Sequence, residues 1–341
     1  MNSEPFFARE QILVRRPAGH VDDTCFELRE RLLPALGKDE VLVDQLVLSI
    51  DPYMYIRASG DERTARGAYQ LGDVPDGLGV GRVRETRSGR FQVGDLVTSS
   101  AGWRDRYVAL AADLQPLPEG LELPPDRFVA VVGATSFTAW VGFTAFVEAK
   151  RGQTIYVTGA AGGVGMIATQ LALRAGLKVI ASAGTPEKCA WLASLGDVHA
   201  INYRTTPDLA GALQEAVPDG IDLCFDTVGG RHMEAAISAL RPHGHLIACG
   251  SMSTIVPGDN PADLLTDLRL VPVQCCTIHG YTVSRFLHLF PAFLDYMRDW
   301  MADGGPIVPV TVHEGIESAP AALRSLFGGG NLGKTLVRVG R

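Results

Sequence analysis

The chain has 341 residues, 46% of them hydrophobic and 20% charged, and a net charge of −7. That length suits two domains, each with a sizeable core. No basic block points to nucleic acid, no stretch approaches the roughly 18 uninterrupted apolar residues of a membrane span, and "MNSEPFFARE" lacks the texture of a secretion signal, so the expectation is a cytoplasmic protein with neither nucleic acid nor membrane as partner.

From the N-terminus to about Leu123 the chain is a succession of short strand-like runs, "EVLVDQLVLSI", "GVGRV", "DLVTSS" and "RYVAL", punctuated by Gly, Pro and Asp. This predicts a β-rich domain. "LPEGLELPPD" (Leu117 to Asp126) is a Pro-rich connector. From about Arg127 the texture alternates. "FVAVVGATSFTAWVGFTAFVEA" predicts a helix, "TIYVTG" a buried strand, "GVGMIATQLALRAG" a helix and "KVIASAG" a second strand. In "TPEKCAWLASLG", Thr185 is placed to cap a helix that starts at Pro186 and stops before Gly196. "AINY", "DLCFDTVG", a helix from about Met233 and "GHLIACG" continue the pattern. Such alternation predicts an α/β fold, a Rossmann-type doubly wound parallel sheet with helices on both faces. The tail from about Pro306, with "IVPVTVHEG" and "KTLVRVG", returns to strand texture and is expected to pack on the N-terminal domain. The predicted domains are therefore 1–125 with 306–341, and 126–305.

"VTGAAGGVG" (Val157 to Gly165) joins a strand to a helix. It reads Ala160-x-Gly162-x-x-Gly165, close to the G-x-G-x-x-G of dinucleotide sites, with Gly159 and Gly163 besides. Gly162 lets the backbone approach a pyrophosphate, Gly165 lets helix pack on strand, and the positive end of the helix faces the anion. An NAD site places an acid about 20 residues on. Here the second strand ends "ASAGT", without an acid, while Lys188 lies in the next helix's first turn and Tyr203-Arg204 closes the third strand. This favours NADPH/NADP+, whose 2′-phosphate Lys188 would pair. None of the six cysteines forms a CxxC pair, and they read as small buried hydrophobes in a reducing cytosol.

With "LSIDPYM", "GVGRV", "FQVGDLV", "AAGGVG", "GLKVIASAGTPEK", "INYRT", "DTVGG", "HLIACGSMST" and "GNLGKTLVRVG", the chain resembles the medium-chain dehydrogenase/reductase superfamily. Within it, it is similar to the zinc-independent branch of leukotriene B4 dehydrogenase/prostaglandin reductases and alkenal double-bond reductases. "DPYM" and "NLGK" are particular to that branch. The resemblance implies that the β-rich domain is GroES-like. It also implies no catalytic metal: "SIDPYM" stands where the zinc-dependent relatives have their first ligand, no "GHE" follows, and Cys25 is the only cysteine before Cys189.

Carried over by motif, the resemblance puts the pyrophosphate on Gly162, Gly163, Val164 and Gly165. It puts the 2′-phosphate and adenosine on Lys188 and Tyr203. Thr227 stands where relatives often have Asn. Cys249, Gly250 and Ser251 open a loop under the cofactor, Ile278 is a further cofactor contact, His279 and Tyr281 lie in a loop after the sixth strand near the nicotinamide, where His279 also contacts the cofactor, and Asn331 stands near the same end. "CGSMSTI" ends in Ile255, where relatives carry a tyrosine aimed at the nicotinamide ribose and the substrate oxygen. The implied reaction is reduction of the C=C bond of α,β-unsaturated ketones or aldehydes, by hydride transfer to the β-carbon and protonation of the enolate. With Ile255 in place, the hydroxyls left to stabilise the enolate oxygen are those of Tyr53, Tyr69 and Tyr281, Tyr53 and Tyr69 foremost. Tyr55 replaces the Arg usual in "DPYMR". The segment Glu62 to Asp73 reads either as a solvated loop or as a lid over the substrate. Relatives pair through the edge strand of the nucleotide domain, and "RLVPVQCCTI" is the apolar run expected there, which predicts a homodimer. Two alternatives stand: a quinone reductase of the same superfamily, or a cofactor-binding partner protein with little catalysis.

Overall fold

The computed structural model describes residues 5–255 and 269–340. These divide into two compact units, Met1–Gly133 with Val310–Arg341, and Ala134–Pro309.

The first unit holds β1 (Phe7–Leu13), β2 (Phe26–Leu32), β3 (Glu40–Ser49), α1 (Tyr53–Ala58), β4 (Gly79–Thr86), β5 (Leu96–Ser99), β6 (Arg106–Leu110), β7 (Gln115–Pro116) and α2 (Pro125–Val131). The second runs through α3 (Ala134–Ala145), β8 (Thr154–Val157), α4 (Gly163–Arg174), β9 (Lys178–Ala183), α5 (Pro186–Ala193), β10 (Val198–Asn202), α6 (Leu209–Ala216), β11 (Ile221–Asp226), α7 (Gly230–Ala239), β12 (Leu240–Ala248), α8 (Met252–Ile255), α9 (Leu270–Val273), β13 (Thr277–Gly280) and α10 (Phe290–Ala302). The tail, β14 (Val310–Glu314), α11 (Ala319–Gly328) and β15 (Lys334–Arg338), returns to the first unit.

In that unit β3 is the hub. It pairs antiparallel with β15, β4 and β6, in a sheet ordered β14-β15-β3-β4-β5-β7. Its alternate residues Val41 and Val43 are fully buried, in one core with Val83, Val97, Tyr107 and Leu114. The chain ends are thereby woven together: the terminal strand is bonded to the strand that leads into "DPYM".

The second unit is a six-stranded sheet ordered β10-β9-β8-β11-β12-β13, parallel throughout. Its central strands are apolar on both faces, β8 being buried along its whole length, as expected where helices cover both sides. The strand order runs outward one way through β8, β9 and β10 and the other way through β11, β12 and β13. The switch point therefore lies between β8 and β11, the place where doubly wound sheets bind ligands.

Four expectations change. The single helix read over 128–149 is two, α2 and α3, because at Gly133 the chain folds so tightly that a β-carbon would lie 2.2 Å from the Val129 carbonyl oxygen. The domain boundaries accordingly move from 125/126 to 133/134 and from 305/306 to 309/310. Pro125–Ala145 is, by length and mean hydropathy, apolar enough to cross a membrane, but Asp126, Arg127 and hydroxyl residues interrupt it and 78% of that window is buried inside the protein, so it is core, in keeping with the sequence expectation. In "RLVPVQCCTI", Leu270–Val273 is helical and only Thr277 onward belongs to a strand. Among the cysteines, Cys275 is exposed rather than buried.

Candidate active site

The nucleotide-binding face is built from the carboxyl ends of β8, β9, β11 and β12. Gly162 caps α4 in extended backbone (φ −88°), and a β-carbon there would come no nearer than 3.3 Å to the Gly159 carbonyl oxygen. That contact is tight but far looser than the one at Gly165. At Gly165 a β-carbon would lie 2.4 Å from the same oxygen, so helix-to-turn packing alone demands glycine. The first N–H groups of α4, from Gly163 to Gly165, lack intrahelical acceptors and carry the positive end of a 12-residue helix. A turn with no side chain at its apex, below such a terminus, fits a pyrophosphate.

The turn is clamped from behind. Asp226, fully buried at the end of β11, accepts from Thr158 Oγ1 (2.6 Å) and from the Val228 and Gly229 N–H groups (3.1 Å each). Burial raises its pKa although these donors oppose the shift. The Thr227 N–H donates to Thr158 Oγ1 (2.9 Å) and the Thr227 hydroxyl to the Thr158 carbonyl (3.0 Å). Thr227 thus locks two strand ends together, and its hydroxyl stands 2.6 Å from where a Gly159 β-carbon would be. Gly250 lies against the Thr227 carbonyl, where a β-carbon would clash at 2.5 Å, and Ser251 is exposed beyond it. Burial, reinforced by Asp226, pushes the Cys249 thiol up to about 12, so it is no nucleophile.

At the end of β9, Thr185 caps α5 through the Lys188 N–H (3.3 Å). A β-carbon on Gly184 would lie 2.7 Å from the Tyr203 hydroxyl and 3.2 Å from Arg204 Nε, so these side chains fold over the strand end. The Lys188 pKa is lowered, first by burial and then by the charge of Arg204. A half-buried ammonium set beside a second cation at a strand end favours a bound anion, which offsets that repulsion. The residues present fit NADPH.

Three residues expected near the nicotinamide have these neighbours in the fold. Ile278 packs into the core formed by Leu246, Ala235 and Ala236. His279 lies within β13, not in a loop after it, and its Nε2 is 3.0 Å from His245 Nδ1. The Tyr281 hydroxyl donates to the Thr138 carbonyl on α3 (2.6 Å), in a space that Gly142 leaves open. That commits it to holding strand against helix.

In the other unit, Tyr53 opens α1, and its hydroxyl lies 3.5 Å from Asp76 Oδ1. The Tyr69 hydroxyl donates to the same oxygen at 2.8 Å. Tyr69 is 2% exposed. Burial drives both phenols well above the ordinary tyrosine value, with Asp51 and then Asp76 adding at Tyr53, and Tyr53 and then Asp76 at Tyr69. Both remain protonated donors. Asp76 stays ionised: burial works against its charge, but the Tyr69 hydroxyl and the Arg57 guanidinium outweigh it and leave its pKa lowered. Tyr55 is buried, with its hydroxyl on the Gly19 carbonyl and its ring 5.0 Å from that of Phe327. The Asn331 amide donates to the Gly333 carbonyl (3.2 Å).

The two branch motifs meet. Lys334 of "NLGK", 3% exposed, donates to Asp51 Oδ1 (2.6 Å) and the Ile50 carbonyl (2.8 Å), while Ser49 donates to the other Asp51 oxygen. This buried cluster occupies the place where a first zinc ligand was sought, and it fixes the approach to Tyr53. Asp76, Arg57, Asp51 and Arg204 as a partner of Lys188 were not singled out from sequence, although Arg204 was noticed beside Tyr203. Among the described residues, no group of three or more His, Cys, Asp or Glu stands together.

A β-rich unit joined to a parallel-sheet unit with a dinucleotide turn at its switch point defines an NADP-dependent oxidoreductase. Residues 9–117 match the family described as N-terminal domain of oxidoreductase, and residues 163–297 the one described as zinc-binding dehydrogenase. The NADP(+)-dependent 2-alkenal reductase of Nicotiana tabacum is 31% identical over 98% of both chains. Prostaglandin reductase 1 of Rattus norvegicus is 33% identical over 97% of this chain and 99% of its own. The crystal structure of CurA in complex with NADPH from Vibrio vulnificus superposes with a TM-score of 0.89, at 27% identity over 98% of this chain and 99% of that one. The chain belongs to the medium-chain dehydrogenase/reductase superfamily, in the branch of the 2-alkenal and prostaglandin reductases.

Proposed function

We propose that this protein reduces the C=C bond of α,β-unsaturated ketones and aldehydes with NADPH, in the cytoplasm and without a metal. The observation that carries the reading is the pair of protonated phenols, Tyr53 and Tyr69, gathered on one ionised carboxylate. The names of the relatives support the substrate class. All six cysteines are free thiols, as a reducing compartment keeps them.

When bound, NADPH supplies a hydride to the β-carbon of the activated alkene. Gly162 to Gly165 would hold its pyrophosphate, and Lys188, Arg204 and Tyr203 its 2′-phosphate end. The chain's part in the chemistry is at the carbonyl oxygen, where negative charge grows. The two tyrosines divide that task. At 2.8 Å the Tyr69 proton is committed to Asp76, whereas the Tyr53 hydroxyl has only long contacts, 3.4 Å to the Asp76 carbonyl and 3.5 Å to its Oδ1, and is the one that can turn to a substrate oxygen. A donor already in place when charge develops is typically worth about 10²–10³ in rate.

The test is turnover, followed by loss of NADPH absorbance, on a simple enone, an enal, a saturated ketone and a quinone. Tyr53→Phe is expected to lower kcat on the enone more than about tenfold with NADPH binding unchanged, the pattern of a contact made mainly in the transition state. Tyr69→Phe should cost less. Turnover of the quinone alone would establish the quinone-reductase alternative, and NADPH binding without turnover of any compound the non-catalytic one. If both phenylalanine variants stay within about twofold of wild type, the oxygen is stabilised elsewhere.

A further inference from the structure

Arg57 makes more contacts around Tyr69 than any motif suggested. It lies in the last turn of α1, one helical turn beyond Tyr53, with its side chain 11% exposed. Its Nη1 pairs with Asp76 Oδ2 at 2.6 Å, its Nε donates to the Gly67 carbonyl at 2.8 Å, and its guanidinium carbon stands 4.0 Å over the Tyr69 ring. Its backbone carbonyl accepts the Tyr69 N–H at 3.0 Å. One residue thus grips Tyr69 by ring and backbone, Tyr69's acceptor by charge, and the preceding turn by a carbonyl. The segment 62–73 has short-range ties such as Thr64 Oγ1 to the Gly67 carbonyl (2.9 Å) and Asp73 to the Gln70 N–H (2.7 Å), and its far end is bonded to β1, the Gly72 N–H donating to the Leu13 carbonyl (2.7 Å) and the Asp73 carbonyl accepting from the Leu13 N–H (2.9 Å), whereas Arg57 grips its middle at Gly67 and Tyr69. Residue 55, where relatives resembling this chain carry Arg, points to the Gly19 carbonyl instead. Residues two apart on a helix face different sides, so Arg57 does not replace that arginine.

We propose that Arg57 is a positioning residue. It holds the segment 62–73 against α1 and, by fixing Tyr69 and Asp76, sets both the direction of the Tyr53 proton and the size of substrate accepted. A guanidinium is needed because pairing with a carboxylate, bonding to a carbonyl and stacking on a ring require a planar fork. The inference rests on the enone-reductase reading for its kinetic part but not for its structural part.

Two variants, Arg57→Lys and Arg57→Gln, are compared with wild type in two measurements. The first is kcat and KM for NADPH, for a small aliphatic enone and for a bulky aryl enone. The second is the rate of trypsin cleavage after Arg63 and Arg66, mapped by mass spectrometry. For Arg57→Gln we expect cleavage at least about tenfold faster, NADPH KM within about twofold, and a fall in kcat/KM that differs at least about fivefold between the two enones. Arg57→Lys keeps the charge and loses the fork, and should lie between. A simple fold defect would change both enones alike and would raise the KM for NADPH. Unchanged cleavage, or equal losses on both enones, overturns the inference. If wild type reduces neither enone, the proposed activity fails, and the cleavage rates alone then decide whether Arg57 holds the segment. If Arg57→Gln does not fold, Arg57→Lys carries the same comparisons.

Discussion

Lys188 is the side chain whose surroundings bear most directly on the proposed 2′-phosphate contact. Burial and the neighbouring Arg204 charge both make its ammonium less comfortable than in water, a cost that a 2′-phosphate would offset. Lys188→Ala is expected to weaken NADPH about 10–100-fold, the range of a lost hydrogen bond to a charged group, and to leave NADH nearly unchanged, as read by titration of each cofactor. Equal losses would assign the residue to the adenine rather than the phosphate. His232 makes a different prediction. It is 3% exposed, 3.3 Å from the Tyr156 hydroxyl. Burial, and then Arg231, hold its pKa down to about 4 from 6.5. Between those values the unfolded chain binds a proton that the folded chain refuses. Stability at this site is therefore complete above pH 6.5 and falls as pH drops toward 4, by roughly 3 kcal/mol in all. Denaturant melts at neutral pH and near the lower limit should show that loss in wild type, and a loss smaller by that amount in His232→Gln. Identical pH dependence in the two would remove His232 as the cause. The sequence made Lys188 visible because a missing acid and a helix start are local facts. It hid Asp76 and Arg57, since a carboxylate in "DVPDG" becomes a tyrosine's partner only through tertiary folding.

Elements were legible where a local device marks them. Thr185, Pro186 and Gly196 bracket α5 as expected, and the glycine turn sits between β8 and α4. Reading failed where the cause is a backbone approach from a distance. The split between α2 and α3 depends on Gly133 meeting a carbonyl, and "RLVPV" looks like strand but coils into α9. The glycine turn itself separates folding from binding. Gly162→Ala should cost much less stability than Gly165→Ala, because its β-carbon would meet the Gly159 carbonyl oxygen at 3.3 Å rather than 2.4 Å, and should still weaken NADPH by more than about tenfold. Gly165→Ala puts a methyl 2.4 Å from a backbone oxygen and should cost about 1–3 kcal/mol or more, as overpacking does. Thermal melts with and without NADPH measure both. A Gly162→Ala protein that melts early but binds normally would reverse the assignment.

At the scale of the whole molecule, the return of β15 to pair with β3 was legible, because strand texture resumes after Pro306 and a strand needs a sheet. Assembly is the level at which sequence says least, and there the sheet edges decide. Among the described residues, the parallel sheet ends at β10 on one side and β13 on the other. An open edge is a row of donors and acceptors that proteins cover or blunt. β10 leads directly into Tyr203 and Arg204, so a second chain laid along it would crowd the cations proposed for the 2′-phosphate. β13 carries no such burden: it is bonded to β12, and its first residue, Thr277, is exposed. Two copies meeting there would pair antiparallel about a two-fold axis, each presenting the same four residues, Thr277–Gly280, to the other. The expected state is therefore a homodimer joined through β13. Light scattering at micromolar concentration should give twice the mass of one chain. Amide exchange at 277–280 should be slow at that concentration and quicken on dilution, as pairing is lost. A monomer at micromolar concentration overturns the dimer. A dimer whose 277–280 amides exchange at the same rate at every dilution moves the interface away from β13.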